Sequence, residues 1–237
     1  MTQLNRLKEV INKLGYENFD QYEKYQQYME GVLDWNEKVN LTNITDREEF
    51  IEKHFVDSVL IADREEFKNA DTVIDVGTGG GFPGVPLAIL FPEKEFVLLD
   101  SLNKRLKIIA ELTEEIGIDN VTVVHGRAEE IARKAEFREA FDVCVSRAVA
   151  NLTSLSELCI PFVKKGGYFI AYKGPGVYEE LEAAEKAIGL LGCKVESVDD
   201  APMQKGQEHK LLFAKKMSNT PKKYPRKPGE PVRNPIK

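Results

Sequence analysis

The sequence is poor in cysteine. Its 237 residues hold three, at Cys144, Cys159 and Cys193. The count is odd, the spacing wide, and no C-x-x-C occurs. This excludes a disulfide framework and reads as buried, reduced thiols. Histidine is equally scarce, and no spacing of ligands suits zinc, so no metal is expected. No apolar run is long enough to span a membrane. The opening MTQLNRLKEV has no apolar core of signal-peptide length. A cytoplasmic protein is therefore expected, with its sequons at Asn40, Asn43 and Asn151 unmodified. There is no internal repeat and no obvious catalytic dyad.

What is present is ordinary in bulk and uneven in detail. Hydrophobic residues make up 42% and charged residues 30% of a length that suits one α/β domain plus an extension. The net charge of −6 argues against indiscriminate nucleic-acid binding. From Lys215 onward, however, eight cations face only Glu230. The end of the chain thus carries roughly +7, leaving about −13 on the rest.

The chain is organised around positions 72–84, TVIDVGTGGGFPG. Thr72, Val73, Ile74 and Val76 read as a short buried strand. A glycine turn follows, and Pro83 and Pro86 open a helix carrying Leu87, Ala88, Ile89 and Leu90. Strand, glycine turn and helix make the first βα unit of a nucleotide-binding sheet. Two patterns overlap in the turn. Positions 79–84 satisfy G-x-G-x-x-G, which alone is weak. Positions 75–81 satisfy D-x-G-x-G-x-G, the pattern of S-adenosylmethionine sites. An acid before the first glycine favours a cationic methyl donor over a dinucleotide. Gly77 and Gly79 are the expected points of close backbone approach.

Ahead of this unit, Leu4, Leu7, Ile11 and Leu14 share one helical face, and Tyr22, Tyr25, Met29, Val32 and Leu33 another. Residues 1–66 read as a helical cap, 67–217 as the cofactor-binding domain and 218–237 as a basic, proline-rich tail. Positions 36–45 are polar and broken. Asp46 is placed to cap the next helix with Glu49 as its box partner. That helix carries His54 and runs to Ala62.

Beyond the glycine turn, positions 95–100 form a second strand. It ends on Asp100, where an acid accepts bonds from ribose hydroxyls. The turn after the third strand, 121–124, offers Ala128 and Glu129 as contacts to an adenine edge. The fourth strand, 141–146, is followed by Arg147, which faces the reaction centre in such folds. Lys173 follows the fifth strand, 167–172, at the site edge. Strands at 193–198 and 210–215, joined by a polar loop, close the chain as a hairpin. The expected fold is a Rossmann-like α/β sheet of seven mostly parallel strands with a terminal antiparallel hairpin, the class I methyltransferase arrangement. In the tail, Tyr224 among lysines and arginines suits base stacking and phosphate contacts.

The motif at 75–84, DVGTGGGFPG, resembles the signature of the RsmG (also called GidB) family, bacterial methyltransferases of small-subunit ribosomal RNA. Asn40-Leu41-Thr42, the KHFVDS run at 53–58, GRAE at 126–129, SRAVA at 146–150 and TPKKYPR at 220–226 support the likeness, which covers nearly the whole chain. The resemblance implies methylation of ring nitrogen 7 of one guanine in 16S rRNA, with S-adenosyl-L-methionine as donor. It implies donor contacts at Gly77, Phe82, Ala128, Glu129 and Arg147. Asn40, His54 and Lys173 are the expected RNA-side wall beside Arg147. A monomer is expected. The alternatives are a methyltransferase of another substrate, a nicotinamide dehydrogenase and a non-catalytic RNA-binding assembly factor on the same scaffold.

Overall fold

The computed structural model describes residues 4–147, 150–201 and 209–236. Two amphipathic helices open it, α1 (Asn5–Lys13) and α2 (Tyr22–Asn36). Their buried faces are Leu7, Val10 and Ile11 in α1 and Tyr25, Tyr28, Met29 and Val32 in α2. Asp46 caps α3 (Arg47–Phe50) by accepting the Glu49 N–H at 2.9 Å. The Glu49 carboxylate turns instead to Lys53, so only half of the capping box forms. The helix continues as a π-helical stretch, Ile51–Val56, and ends as α4 (Asp57–Val59), short of Ala62. A single helical turn, α5 (Glu65–Lys68), lies in the charged connection to the sheet.

The remaining elements alternate: β1 (Thr72–Val76), α6 (Gly84–Leu90), β2 (Glu95–Asp100), α7 (Asn103–Ile116), β3 (Val121–His125), α8 (Ala128–Ile131), β4 (Phe141–Ser146), α9 (Leu152–Cys159), β5 (Val163–Lys173), α10 (Val177–Leu190), β6 (Cys193–Ala201), β7 (His209–Lys216) and α11 (Glu230–Arg233). The strand order is β3-β2-β1-β4-β5-β7-β6. Strands β1 to β5 pair in parallel, and β7 runs antiparallel to both β5 and β6. This is the seven-stranded, mostly parallel α/β sheet with a terminal hairpin read from the sequence. The order reverses between β1 and β4, and ligands of such sheets bind at the carboxyl ends beside that reversal.

Side chains alternate across the sheet with the strand period of two. Val73, Val143, Val145, Ile170 and Phe213 point into a core shared with α1, α2, α6 and α7. Ile74, Val76, Cys144, Phe169 and Leu212 point into a second core with α9, α10 and Tyr224. The N-terminal helices thus have no core separate from that of the sheet.

Three details depart from the sequence reading. Strand β5 begins at Val163, because Val163 pairs with Phe141 at the foot of β4. Helix α9 has no counterpart in the reading. Nearly all of its LTSLSELC is buried, serines included, so no polar face betrays a helical period. Strand β6 runs through Asp199 and Asp200, which read as loop, and residues 202–208 of that loop lie outside the described residues.

Candidate active site

A cavity of about 220 Å³ opens at the carboxyl ends of β1, β2 and β3. Its wall includes Gly77, Asp100, Ser101, Ala128 and Glu129. Four expected cofactor contacts are therefore gathered in one place. Asp100 is buried, and its carboxylate is fixed by two backbone donors: Gly79 N–H to Oδ2 at 2.9 Å and Leu102 N–H to Oδ1 at 2.8 Å. Gly79 acts through this bond and does not line the cavity. The buried Glu129 accepts the Gly229 N–H at 2.8 Å through Oε1. A carboxylate has about four acceptor sites, so both acids retain capacity for a ligand.

Asp75 decides what sort of ligand fits. It is fully buried beneath the glycine turn. Its Oδ2 accepts the Thr78 hydroxyl at 2.7 Å and the Gly84 N–H at 2.9 Å. Gly84 is the first residue of α6, and such helix-start amides take the pyrophosphate in dinucleotide folds. Here a carboxylate already holds that amide. Oδ1 has no hydrogen-bond partner, and burial raises the Asp75 pKa to about 6. Three carboxylates and an occupied helix start suit a cationic nucleoside rich in donors, and they repel a pyrophosphate.

A second cluster stands beside the turn and centres on Arg147. Its Nη1 donates to Asp57 Oδ2 at 2.9 Å and to Lys53 O, and its Nη2 donates to His54 Nδ1 at 2.9 Å. Since a guanidinium only donates, His54 Nδ1 is the bare nitrogen. Nε2 then carries the proton and donates to Thr42 Oγ1 at 2.7 Å. Burial, then the Arg147 charge, lower the His54 pKa to about 3, so the ring is neutral. Asp57 is completely buried, and its Oδ1 accepts from His209 Nδ1 at 2.9 Å. Burial opposes its ionisation, but the His209 hydrogen bond and the Arg147 charge outweigh that, and its pKa is lowered.

The expected RNA-side residues and the expected donor contacts Phe82 and Arg147 meet different fates, and neither of those two contacts lines the cavity. Arg147 is mostly buried, with 18% of its side chain exposed. Ala148 and Val149 after it lie outside the described residues. Both ring nitrogens of His54 are committed, which leaves it no proton acceptor for substrate. Phe82 is 5% exposed, packs on His54 and does not line the cavity. Lys173 is buried at the end of β5, bonded to Glu180 at 2.7 Å and to Ala150 O at 3.1 Å, a buttress with no place on an open wall. Asn40 is exposed, on a loop held by Asn36 Oδ1 through the Leu41 and Thr42 N–H groups at 2.8 and 2.9 Å. Tyr224 is buried in the second core, so it is not free to stack on a base. The sequence reading missed Asp57, inside the KHFVDS run, and His209, at the end of the polar loop between the last two strands. It also missed the cavity residues Leu155, Leu158, Gly229 and Val232, which lie on an unread helix and in the tail.

Among the described residues, no group of three or more His, Cys, Asp or Glu could hold a metal ion. Nor, among them, is any helix long and apolar enough to cross a membrane. The fold resembles the cofactor-bound protein Rv0187 from MTB, with a TM-score of 0.57 at 19% identity over 81% of this chain and 90% of that one. It also resembles a mutant 16S rRNA (adenine(1408)-N(1))-methyltransferase from Catenulisporales acidiphilia, with a TM-score of 0.53 at 18% identity over 62% and 86%. At such identities the likeness is one of fold. The sequence is far nearer to proteins named ribosomal RNA small subunit methyltransferase G. That of Clostridium novyi is 50% identical over 220 residues, 92% of this chain and 90% of its own length. That of Clostridium tetani is 47% identical over 234 residues, 98% of each. The family model described as rRNA small subunit methyltransferase G matches residues 21–210, and the chain belongs to that family.

Proposed function

We propose that the protein binds S-adenosyl-L-methionine in the cavity at the ends of β1 to β3 and methylates ring nitrogen 7 of one guanine in 16S rRNA. The observation that carries the cofactor assignment is Asp75 on the first amide of α6, with Asp100 and Glu129 fixed around the cavity. Asp100 would accept the ribose hydroxyls and Glu129 the adenine amine. Asp75 would supply negative potential beneath the turn. When bound, the cofactor supplies an electrophilic methyl group on a sulfonium centre.

Nitrogen 7 of guanine bears no proton, so no side chain need act as general base. This agrees with a His54 closed at both nitrogens. The chain's contribution is then to position the base and exclude water. The Arg147 cluster ties the end of β4 to the π-helical stretch and to α4, and the start of β7 to α4, and so sets the wall beside the glycine turn. The guanine edge concerned lies in the deep, narrow groove of an RNA duplex, so the target base must be unpaired or drawn out of its stack. In this reading the enzyme is a cytoplasmic monomer that needs no metal. Residues 1–66 form the cap, 67–217 the cofactor unit and 218–237 the tail.

The test is a tritiated-methyl assay on ribosomal subunits and on free rRNA from a strain lacking the protein, with the labelled base mapped. Label at nitrogen 7 of a single 16S guanine is the expected result. Label on another base, or none on either substrate, overturns the proposal.

A further inference from the structure

The chain after β7 is anchored along its path back to the cavity. Lys216 Nζ bonds Thr220 Oγ1 at 2.6 Å, and Arg138 donates to Thr220 O at 2.8 Å and to Tyr224 O at 3.0 Å. Tyr224 is buried in the second core. Arg226 then grips Glu157 of α9: Nη2 meets Oε2 at 2.6 Å, Nε meets Oε1 at 3.0 Å, and the Arg226 N–H meets Oε1 at 2.6 Å. Glu157 is 1% exposed, so this fork is a fixed anchor. Ser154 Oγ holds Pro231 O at 2.8 Å. Between these anchors, Gly229 donates to Glu129 Oε1. Gly229 and Val232 line the same cavity as Gly77, Asp100 and Ala128. Val232 is apolar and 57% exposed, so its side chain is open to contact by an apolar ligand face.

We infer that residues 217–236 form a preset strap that supplies one wall of the nucleoside pocket and helps select the base. The Gly229 amide fixes the Glu129 carboxylate in the orientation that receives an exocyclic amine. Val232 offers the apolar contact for the face of a purine. Because the strap is ordered by its own anchors, a ligand need not pay to order it. The inference rests on the reading of this cavity as the S-adenosylmethionine site and adds what recognises its base.

Two variants test it, and both keep Tyr224 and Arg226. One ends the chain at Pro228. The other, Val232→Ser, changes an exposed side chain and so puts folding at no risk. S-adenosylmethionine and adenosine are each titrated into the full-length protein and both variants by calorimetry, with melting curves as the control for folding. Val232→Ser is expected to weaken both ligands by about fivefold, and the shortened chain by more than about tenfold. Adenosine should lose as much as the whole cofactor, because the lost contacts are to the base. Equal affinity of all three proteins for both ligands overturns the strap while leaving the cofactor site standing. Failure of the full-length protein to bind either ligand overturns both.

Discussion

The imidazole of His54 lies flat on the ring of Phe82, with centroids 4.2 Å apart and planes 3° apart. This stack joins the π-helical stretch to the glycine turn, and Arg147 closes it from His54 Nδ1. The ring is held neutral down to about pH 3. In the unfolded chain it takes a proton near pH 6.5. The unfolded state then binds more protons between those values, and stability from this group falls as pH drops from about 6.5 toward 3. Ring-proton NMR of the folded protein should therefore show no His54 titration between pH 5 and 8. A titrating His54 signal near pH 6.5 would mean that the ring is not kept buried against Arg147 in solution.

Arg147→Ala should unfold more readily as well as work poorly. It removes the cation from Asp57, a carboxylate with no exposure, and leaves it paired with His209. Breaking such a buried pair costs about 3 kcal/mol. Arg147→Lys should recover only part of this, since one ammonium cannot serve Lys53 O, Asp57 and His54 together. The double variant Arg147→Ala/Asp57→Asn should be more stable than Arg147→Ala alone. Urea titrations measure all three. A stability of Arg147→Ala within about 0.5 kcal/mol of the parent would show that Asp57 does not depend on it.

Asp75→Asn should exchange function for stability. Burial raises the Asp75 pKa to about 6, against the opposing bonds from Thr78 and Gly84. Below about pH 4 the group is protonated in both the folded and unfolded chain. As pH climbs from about 4 to 6, the folded chain holds a proton that the unfolded chain has released. Stability from this group is thus lost with rising pH, and the loss is complete above about pH 7. The asparagine variant avoids that loss. It should gain on the order of 2 kcal/mol over the parent at pH 7.5, with a much smaller difference at pH 4. Its affinity for a sulfonium nucleoside should drop, because the negative potential under the turn is gone. Denaturation at the two pH values, with a binding titration at the higher one, decides the matter. A variant less stable than the parent at pH 7.5 contradicts this account.

What could be read in advance followed physical lines. β2 and β4 stand out because their buried centres are apolar, FVLL at 96–99 and VCV at 143–145. The cavity acids Asp100 and Glu129 could be placed because one ends the second strand and the other lies just after the third. The Arg147 cluster was half legible. The basic residue after β4 stood out, but its partners Asp57 and His209 lie 90 and 152 positions from their contacts. Nothing local in KHFVDS says that Asp57 faces a strand end and not Lys53. The tail misled for a different reason. Its composition resembles that of disordered chain, yet three anchors on other elements, Arg133, Arg138 and Glu157, hold it down. Composition carries no trace of them.

Gly79 and Gly81 of the turn should differ sharply when replaced by alanine. A Cβ on Gly81 would stand 2.1 Å from the Tyr28 hydroxyl and 2.8 Å from Val85 Cγ2, at a φ of +86°. Tyr28 would lose its bond to Gly80 O as it moved aside. A Cβ on Gly79 meets nothing nearer than 4.0 Å, so only its φ of +60° counts. Gly79→Ala should cost about 1 kcal/mol, and Gly81→Ala about 3 kcal/mol or more through overpacking and the lost hydrogen bond. Melting temperatures of the two variants would rank them. Equal losses would place the strain in the backbone alone.

Whether the tail also meets RNA is a question for its exposed cations, because truncation cannot answer it. A chain ending at Lys216 loses Tyr224 from the second core and strips the buried Glu157 of Arg226, so weakened RNA binding would follow from a damaged fold. Lys222, Lys223 and Lys227 are exposed, and glutamine at all three leaves Tyr224 and the Arg226 anchor in place. Each phosphate contact contributes about 0.7 to 0.9 to the slope of log affinity against log salt. If all three lysines meet phosphate, the triple variant should bind ribosomal subunits with a slope shallower by about 2. Its affinity for S-adenosylmethionine should not change, since none of the three lines the cavity. Filter binding across a salt series gives the slope. An unaltered slope would show that none of the three lysines meets phosphate.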